Sequence, residues 1–264
     1  MELSSLIILL VAFVLLIVIL VIVVLVRLHR FERSTSTALA SLHSPLAIAS
    51  KHDLLPIFRR LTDAIKQLAE LDDPLLHHLA TLRLTAMADE AENLGRGIVV
   101  FQGTETWRAA YQDLLTTLNV KSYYSVAWVR SEHYWNDTPG RQSMLMNYDL
   151  AARGFHIQRI HILPSQLWPF EQSLPTATIR AWLTEQHERG ILVHLVREAD
   201  LAKEPDLLQD FAIYGDRATA VQELDRQSQT LRFVLSFDRE SIRQALDRWE
   251  RLGIYASSWE NSGK

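Results

Sequence analysis

The stretch AARGFHIQRIHIL (residues 151–163) reads as the end of a helix, a glycine stop and a buried strand, and the chain does this twice. Thirty-six positions after Gly154, the segment QHERGILVHLVRE (residues 186–198) runs through the same order of events. In each copy an Arg-Gly pair closes the helix, because glycine takes the left-handed cap conformation without a Cβ clash, and the next residues enter a strand directly. Strands that alternate with helices of about 10–15 residues imply an α/β sheet built from repeated units.

The same alternation continues on both sides of the echo. Upstream come a short strand GIVVFQ, a helix TETWRAAYQDLLTTL with Thr104 as its N-cap, a strand KSYYSVAWV and a helix SMLMNYDLAA. Between the two copies lie a loop and the helix ATIRAWLTEQHE. Downstream, QDFAIYGDRATAVQEL is expected to form two strands about a Gly-Asp turn, and DRESIRQALDRWERLG a closing helix. Residues 96–256 thus make the α/β domain, and the polar tail 257–264 (SSWENSGK) is expected to be disordered.

Ahead of this domain the pattern is helical. Leu54, Phe58, Leu61, Ile65, Leu68 and Leu71 recur at three- and four-residue steps, DDP interrupts at Asp72, and a second helix runs from Leu75 to the glycines at 95 and 97. Residues 53–95 suit either a hairpin packed on the main domain or a dimerising coiled-coil stalk; the scarcity of clean heptads favours the hairpin. Residues 34–50 are small and polar with one proline, and 27–52 reads as a juxtamembrane linker.

Residues 6–26 run for 21 positions without a charge, a Gly or a Pro. That length crosses a bilayer as a helix, and the basic start and small-residue cleavage site of a signal peptide are missing. Arg27, Arg30 and Arg33 follow it, whereas the leader 1–5 carries only Glu2 and the terminal amine. The positive-inside bias predicts a single-pass protein with its N-terminus outside and its bulk in the cytoplasm, with the lipid bilayer as its first partner.

Composition excludes several classes of function. A formal net charge of −4 lacks the basic surplus that phosphate-backbone binding needs, so nucleic acid is not an expected partner. With no cysteine there is no disulfide framework, thiolate metal site or Cys nucleophile. Gly-rich phosphate loops and His-Glu-x-x-His, Gly-x-Ser-x-Gly and EF-hand patterns do not occur, so neither a cofactor nor a metal is expected.

The order of elements over residues 97–255 resembles the phospholipase D-like superfamily. The resemblance rests on the aromatic stretch ending HYW (133–135), on AARGFHIQRIHIL as the helix, Arg-Gly, strand junction, and on DFAIYGDRATAV (210–221) as the hairpin at the active-site strand. It implies a mixed sheet flanked by helices. It also implies, in active members, a His-x-Lys-x-x-x-x-Asp motif whose histidine attacks phosphorus while the lysine holds the phosphate oxygens. None of the ten histidines here has a lysine two places later. Counting back from Asp216 puts Gln209 and Phe211 in the histidine and lysine slots, and a shift by one puts Leu208 and Asp210 there. Neither register supplies a nucleophile or a cation, so no catalytic residue is assigned.

The strand ends supply the remaining candidates. His161 and Arg197 stand seven positions after the two glycines, with Arg159 two before His161 on the same strand face. Together they could hold a small anion or lipid headgroup by charge-assisted hydrogen bonds; alternatively they pair with acids such as Glu198, Asp200 or Asp216. Trp128, Tyr134 and Trp135 could line a pocket, although aromatic residues at strand ends are more often packing. The sequence thus reads as a membrane-anchored, catalytically inactive phospholipase D-like domain that binds or senses an anionic ligand, lipid headgroup or protein partner, with homo-oligomerisation left open. The competing reading is a divergent phosphodiesterase that uses His133 or His161 outside the usual motif.

Overall fold

A computed structural model describes residues 27, 53–103, 105–116, 120–132, 134, 136–225 and 230–261. The expected leader 1–5, the 6–26 span, nearly all of the 27–52 linker, the Thr104 cap, and residues His133 and Trp135 lie outside the described residues. Among those described, no helix is long and apolar enough to cross a membrane.

The chain divides into two compact units, Met1–Arg83 and Leu84–Lys264. In the first, helix α1 (Leu55–Glu70) ends ahead of Asp73, whose carboxylate accepts from the backbone N–H groups of Leu75 and Leu76 and so starts α2 (Pro74–Gly95). Both helices bury none of their residues.

The second unit is built on one eight-stranded mixed sheet. Its strands are β1 (Ile98–Gln102), β2 (Ser122–Trp128), β3 (His156–Leu163), β4 (Leu192–Arg197), β5 (Asp210–Tyr214), β6 (Ala218–Leu224), β7 (Thr230–Ser236) and β8 (Ser257–Ser258). They lie in the order β1-β7-β6-β5-β2-β3-β4-β8. Only β2, β3 and β4 run parallel to one another, and they are the strands joined by the echoed units. Helices α3 (Glu105–Thr116), α4 (Thr138–Ala152) and α5 (Ala177–Glu188) share a core with one face of the sheet through Trp107, Tyr111, Met144, Tyr148, Ile179 and Leu183. Helix α6 (Arg239–Tyr255) and two short 3-10 turns share the core of the other face through Ala245, Leu252, Leu201 and Leu207. This is the mixed sheet flanked by helices that the sequence implied.

The echo has a single physical cause. Gly154 and Gly190 adopt φ of +86° and +89°. In both copies the glycine N–H and the next N–H turn back to the carbonyls of the last helical turn: Gly154 to Ala151 and Phe155 to Leu150, Gly190 to His187 and Ile191 to Gln186. This double closure satisfies two carbonyls that would otherwise be orphaned as the chain drops into a buried strand.

Two elements depart from the sequence reading. Strand β7 was not expected; it pairs with both β1 and β6 and inserts between them. The tail was expected to be disordered, but Ser257 and Ser258 add β8 to the open edge of β4, opposite Leu195 and His194, and residues 259–261 make a 3-10 turn. The bare edge of β4 has backbone groups that need partners, and Trp259 packs against the core beside it.

Candidate functional site

Alternation along the strands selects the residues that face α3, α4 and α5: Tyr123, Ser125 and Ala127 on β2, Arg159 and His161 on β3, and Asp210, Ala212 and Tyr214 on β5. The register places Ser125 between Arg159 and Ala212, with Ala212 next to Ala220 of β6. One step along, Ala127 lies beside His161 and Asp210 beside Gln222. Small side chains at Ser125, Ala127, Ala212 and Ala220 leave a floor with nothing standing on it. The result is a cavity of about 40 Å³ walled by Trp107, Tyr111, Tyr134, Trp182 and Phe233. A space of this size holds a few water molecules or one small oxyanion. Tyr134 and Trp182 also border a groove of about 430 Å³ that carries Glu132, Arg141 and Glu185.

The polar groups around this cavity are unusual in what they lack. Arg159 is 7 % exposed, and its Nη1 donates to Gln186 Oε1 at 3.1 Å and toward Met144 Sδ at 2.8 Å, while its Nε has no partner. Among the described residues no carboxylate forms an ion pair with it; Glu198, Asp200 and Asp216 do not. A buried guanidinium without a counter-charge is costly, and its full desolvation is tolerated where another anion can supply that charge. His161 is 1 % exposed, lies 4.7 Å from the Trp182 ring, and has no hydrogen-bond partner of good geometry on either ring nitrogen. Burial and the neighbouring Arg159 hold its pKa down at about 3, with Gln186 opposing slightly, so the imidazole is neutral.

Asp210 closes the other side. Its Oδ1 accepts from the backbone N–H of Trp128 at 3.0 Å and from the Tyr134 hydroxyl at 3.1 Å. Burial pushes its pKa up to about 7, against these hydrogen bonds and the Arg130 charge. The cavity therefore holds one fixed cation, one neutral imidazole and one acid that changes charge near neutrality. Among the described residues no cluster of His, Cys, Asp or Glu could hold a metal ion.

Of the residues singled out in the sequence, Arg159, His161 and Tyr134 come together here. Arg197 does not join them. Its guanidinium donates to the carbonyls of Trp168, Pro169 and Gln172 at 2.7–3.0 Å and lies 3.9 Å above the Trp168 ring, so it fixes the 164–176 loop. Trp128 points to the opposite face of the sheet, where its indole N–H donates to Glu198 and Arg130 stacks on its ring. Its contribution to the site is the backbone N–H. Sequence reasoning missed Asp210, Trp182 and Gln186. Asp210 carried a signal, as the one charge in the apolar run DFAIY, but its place opposite His161 depends on β5 lying beside β2, which no local pattern encodes.

No protein-family model and no curated protein matches the sequence. Solved structures similar to the chain include TrmBL2, an archaeal chromatin protein with a novel mode of DNA binding, at 10 % identity and a TM-score of 0.38, over 78 % of this chain and 70 % of that one. NucT from Helicobacter pylori is 14 % identical with a TM-score of 0.43, over 61 % of this chain and 98 % of its own. Nuc from Salmonella typhimurium, a phospholipase D family member, is 12 % identical with a TM-score of 0.41, over the same shares.

Proposed function

We propose that this chain is a recognition module of phospholipase D-like architecture, held at the cytoplasmic side of a membrane by residues 6–26, whose cavity binds a small anionic group without cleaving it. The observation that carries the reading is Arg159, a desolvated cation with no ion-pair partner, facing a space the size of a small oxyanion. Missing chemistry supports the second half: the slots that the resemblance reserves for a histidine and a lysine hold Gln209 and Phe211, or Leu208 and Asp210. Phe211 or Asp210 in the lysine slot supplies no cation to hold the leaving phosphate oxygens through a cleavage step.

The test uses the purified full-length chain in detergent. Sulfate and dimethyl phosphate are titrated against tryptophan fluorescence, which Trp107 and Trp182 in the cavity wall report. Arg159→Met should weaken binding by about ten- to a hundredfold, as expected for losing a charged donor worth about 1.5–3 kcal/mol. The same variant should melt at or above the parent temperature, since a buried uncompensated charge has been replaced by an apolar chain. A large loss of stability with unchanged binding would make Arg159 a structural residue and remove the site. Turnover of bis-p-nitrophenyl phosphate that disappears in folded His161→Gln would establish the phosphodiesterase reading instead.

A further inference from the structure

Among the described residues, the first unit exposes an apolar stripe along α1. Leu54, Ile57, Leu61, Ala64, Leu68 and Leu71 fall on the first and fourth positions of fewer than three heptads, a run too short to mark a coiled coil from sequence alone, and Phe58 and Ile65 widen the stripe to a third position. Among these, Leu54, Ile57, Leu61, Ile65 and Leu71 are 41–54 % exposed. Leu75, Leu76, Leu79 and Leu82 at the start of α2 add four more, 41–67 % exposed. Three apolar positions per heptad describe a helix inside a bundle, broader than the two-position seam of a simple coiled coil.

Exposure and charge together select the occupant. Nine large apolar side chains, each 41–67 % exposed, are more than the scattered single ones of an ordinary surface and mark an interaction face. A helix that lies on lipid carries a polar face rich in Lys and Arg. The polar side of α1 mixes Arg59, Arg60 and Lys66 with Asp63 and Glu70, which suits another protein helix of the same mixed sign. The residues before α1 include the uncharged 6–26 run, and two chains carrying that run in one bilayer would present their α1 helices at the same height and in the same direction, at high effective concentration. We propose that α1 and the start of α2 pair with the same segment of a second copy of this chain, forming a parallel dimeric helix bundle.

The chain has no cysteine, so one introduced thiol is the only one present. Leu61→Cys and Leu68→Cys place it on the stripe, and Arg59→Cys and Lys66→Cys on the opposite side. On oxidation of the full-length chain in lipid vesicles, the stripe variants should give covalent dimer in about fivefold or greater excess over the opposite-face variants. The double variant Leu61→Asp, Leu68→Asp should halve the mass measured by light scattering in detergent while leaving the near-ultraviolet signal of the α/β unit unchanged. Equal yields at all four positions would reduce the dimer to random collision and overturn the proposal. Stripe thiols shielded from maleimide without forming dimer would also overturn it, in favour of lipid or another protein as the cover.

Discussion

Asp210 and His161 have pKa values moved in opposite directions, up to about 7 and down to about 3, both chiefly by burial. From about pH 4 to 6.5 the folded chain therefore keeps a proton on Asp210 that the unfolded chain has released, and lacks one on His161 that the unfolded chain has bound. Stability falls with rising pH on account of the first and rises on account of the second, so in the parent protein the two slopes offset. Substitution should separate them. Asp210→Asn, which can still accept from Trp128 and Tyr134, should leave a protein that gains stability from pH 4 to 6.5 relative to the parent, by up to about 1.4 kcal/mol per pH unit. His161→Gln should lose stability relative to the parent as pH rises from 4 toward 7. Chemical denaturation at pH 4.5, 5.5 and 6.5, followed by tryptophan fluorescence, measures both, and parallel curves for all three proteins would mean that neither group is buried as described.

At the scale of elements, the end of β4 decides between two roles for one arginine. Because Arg197 ties down three carbonyls of the 164–176 loop, Arg197→Ala should lower the melting temperature by a few degrees, the effect of losing about 1 kcal/mol or more from a unit of this size, with anion affinity unchanged. Thermal melts beside the sulfate titration separate it from Arg159, whose replacement should do the reverse. The contrast shows what was legible in the sequence. Spacing after each glycine found both strands, because the Arg-Gly junction is a local backbone requirement, but it did not find equivalent ends: Arg197 closes β4 opposite Leu163, whereas His161 lies two residues short of the end of β3, opposite Leu195. What the side chain does there depends on packing that no local pattern encodes: His161 and Arg197 stand at the same spacing after their glycines, yet one lines the cavity and the other holds the 164–176 loop. Strand β7 was passed over because in TLRFVLS (230–236) Arg232 is followed by Phe233, Val234 and Leu235 in a row, which breaks the apolar-polar alternation that marks a strand. The cavity floor was invisible because alanine and serine become informative only when strand order brings Ser125, Ala127, Ala212 and Ala220 side by side.

For the whole molecule, the charge difference between the 1–5 leader and Arg27, Arg30 and Arg33 predicts that a protease added outside intact cells leaves the Leu84–Lys264 unit whole; its digestion without lysis would reverse the orientation. The sheet order has a consequence for how the protein is made. The first strand synthesised, β1, finds its backbone partner only in β7, and the other edge is closed only by β8 at the end of the chain. At roughly 5–20 residues per second, translation of residues 103–229 leaves β1 waiting on the order of ten seconds with one row of amides and carbonyls bare. Nascent chains on one messenger would wait side by side in that condition. Overproduction should thus fail first by strand exchange between unfinished chains, and a stop codon placed just before Thr230 should turn the Leu84–Lys264 unit into aggregate.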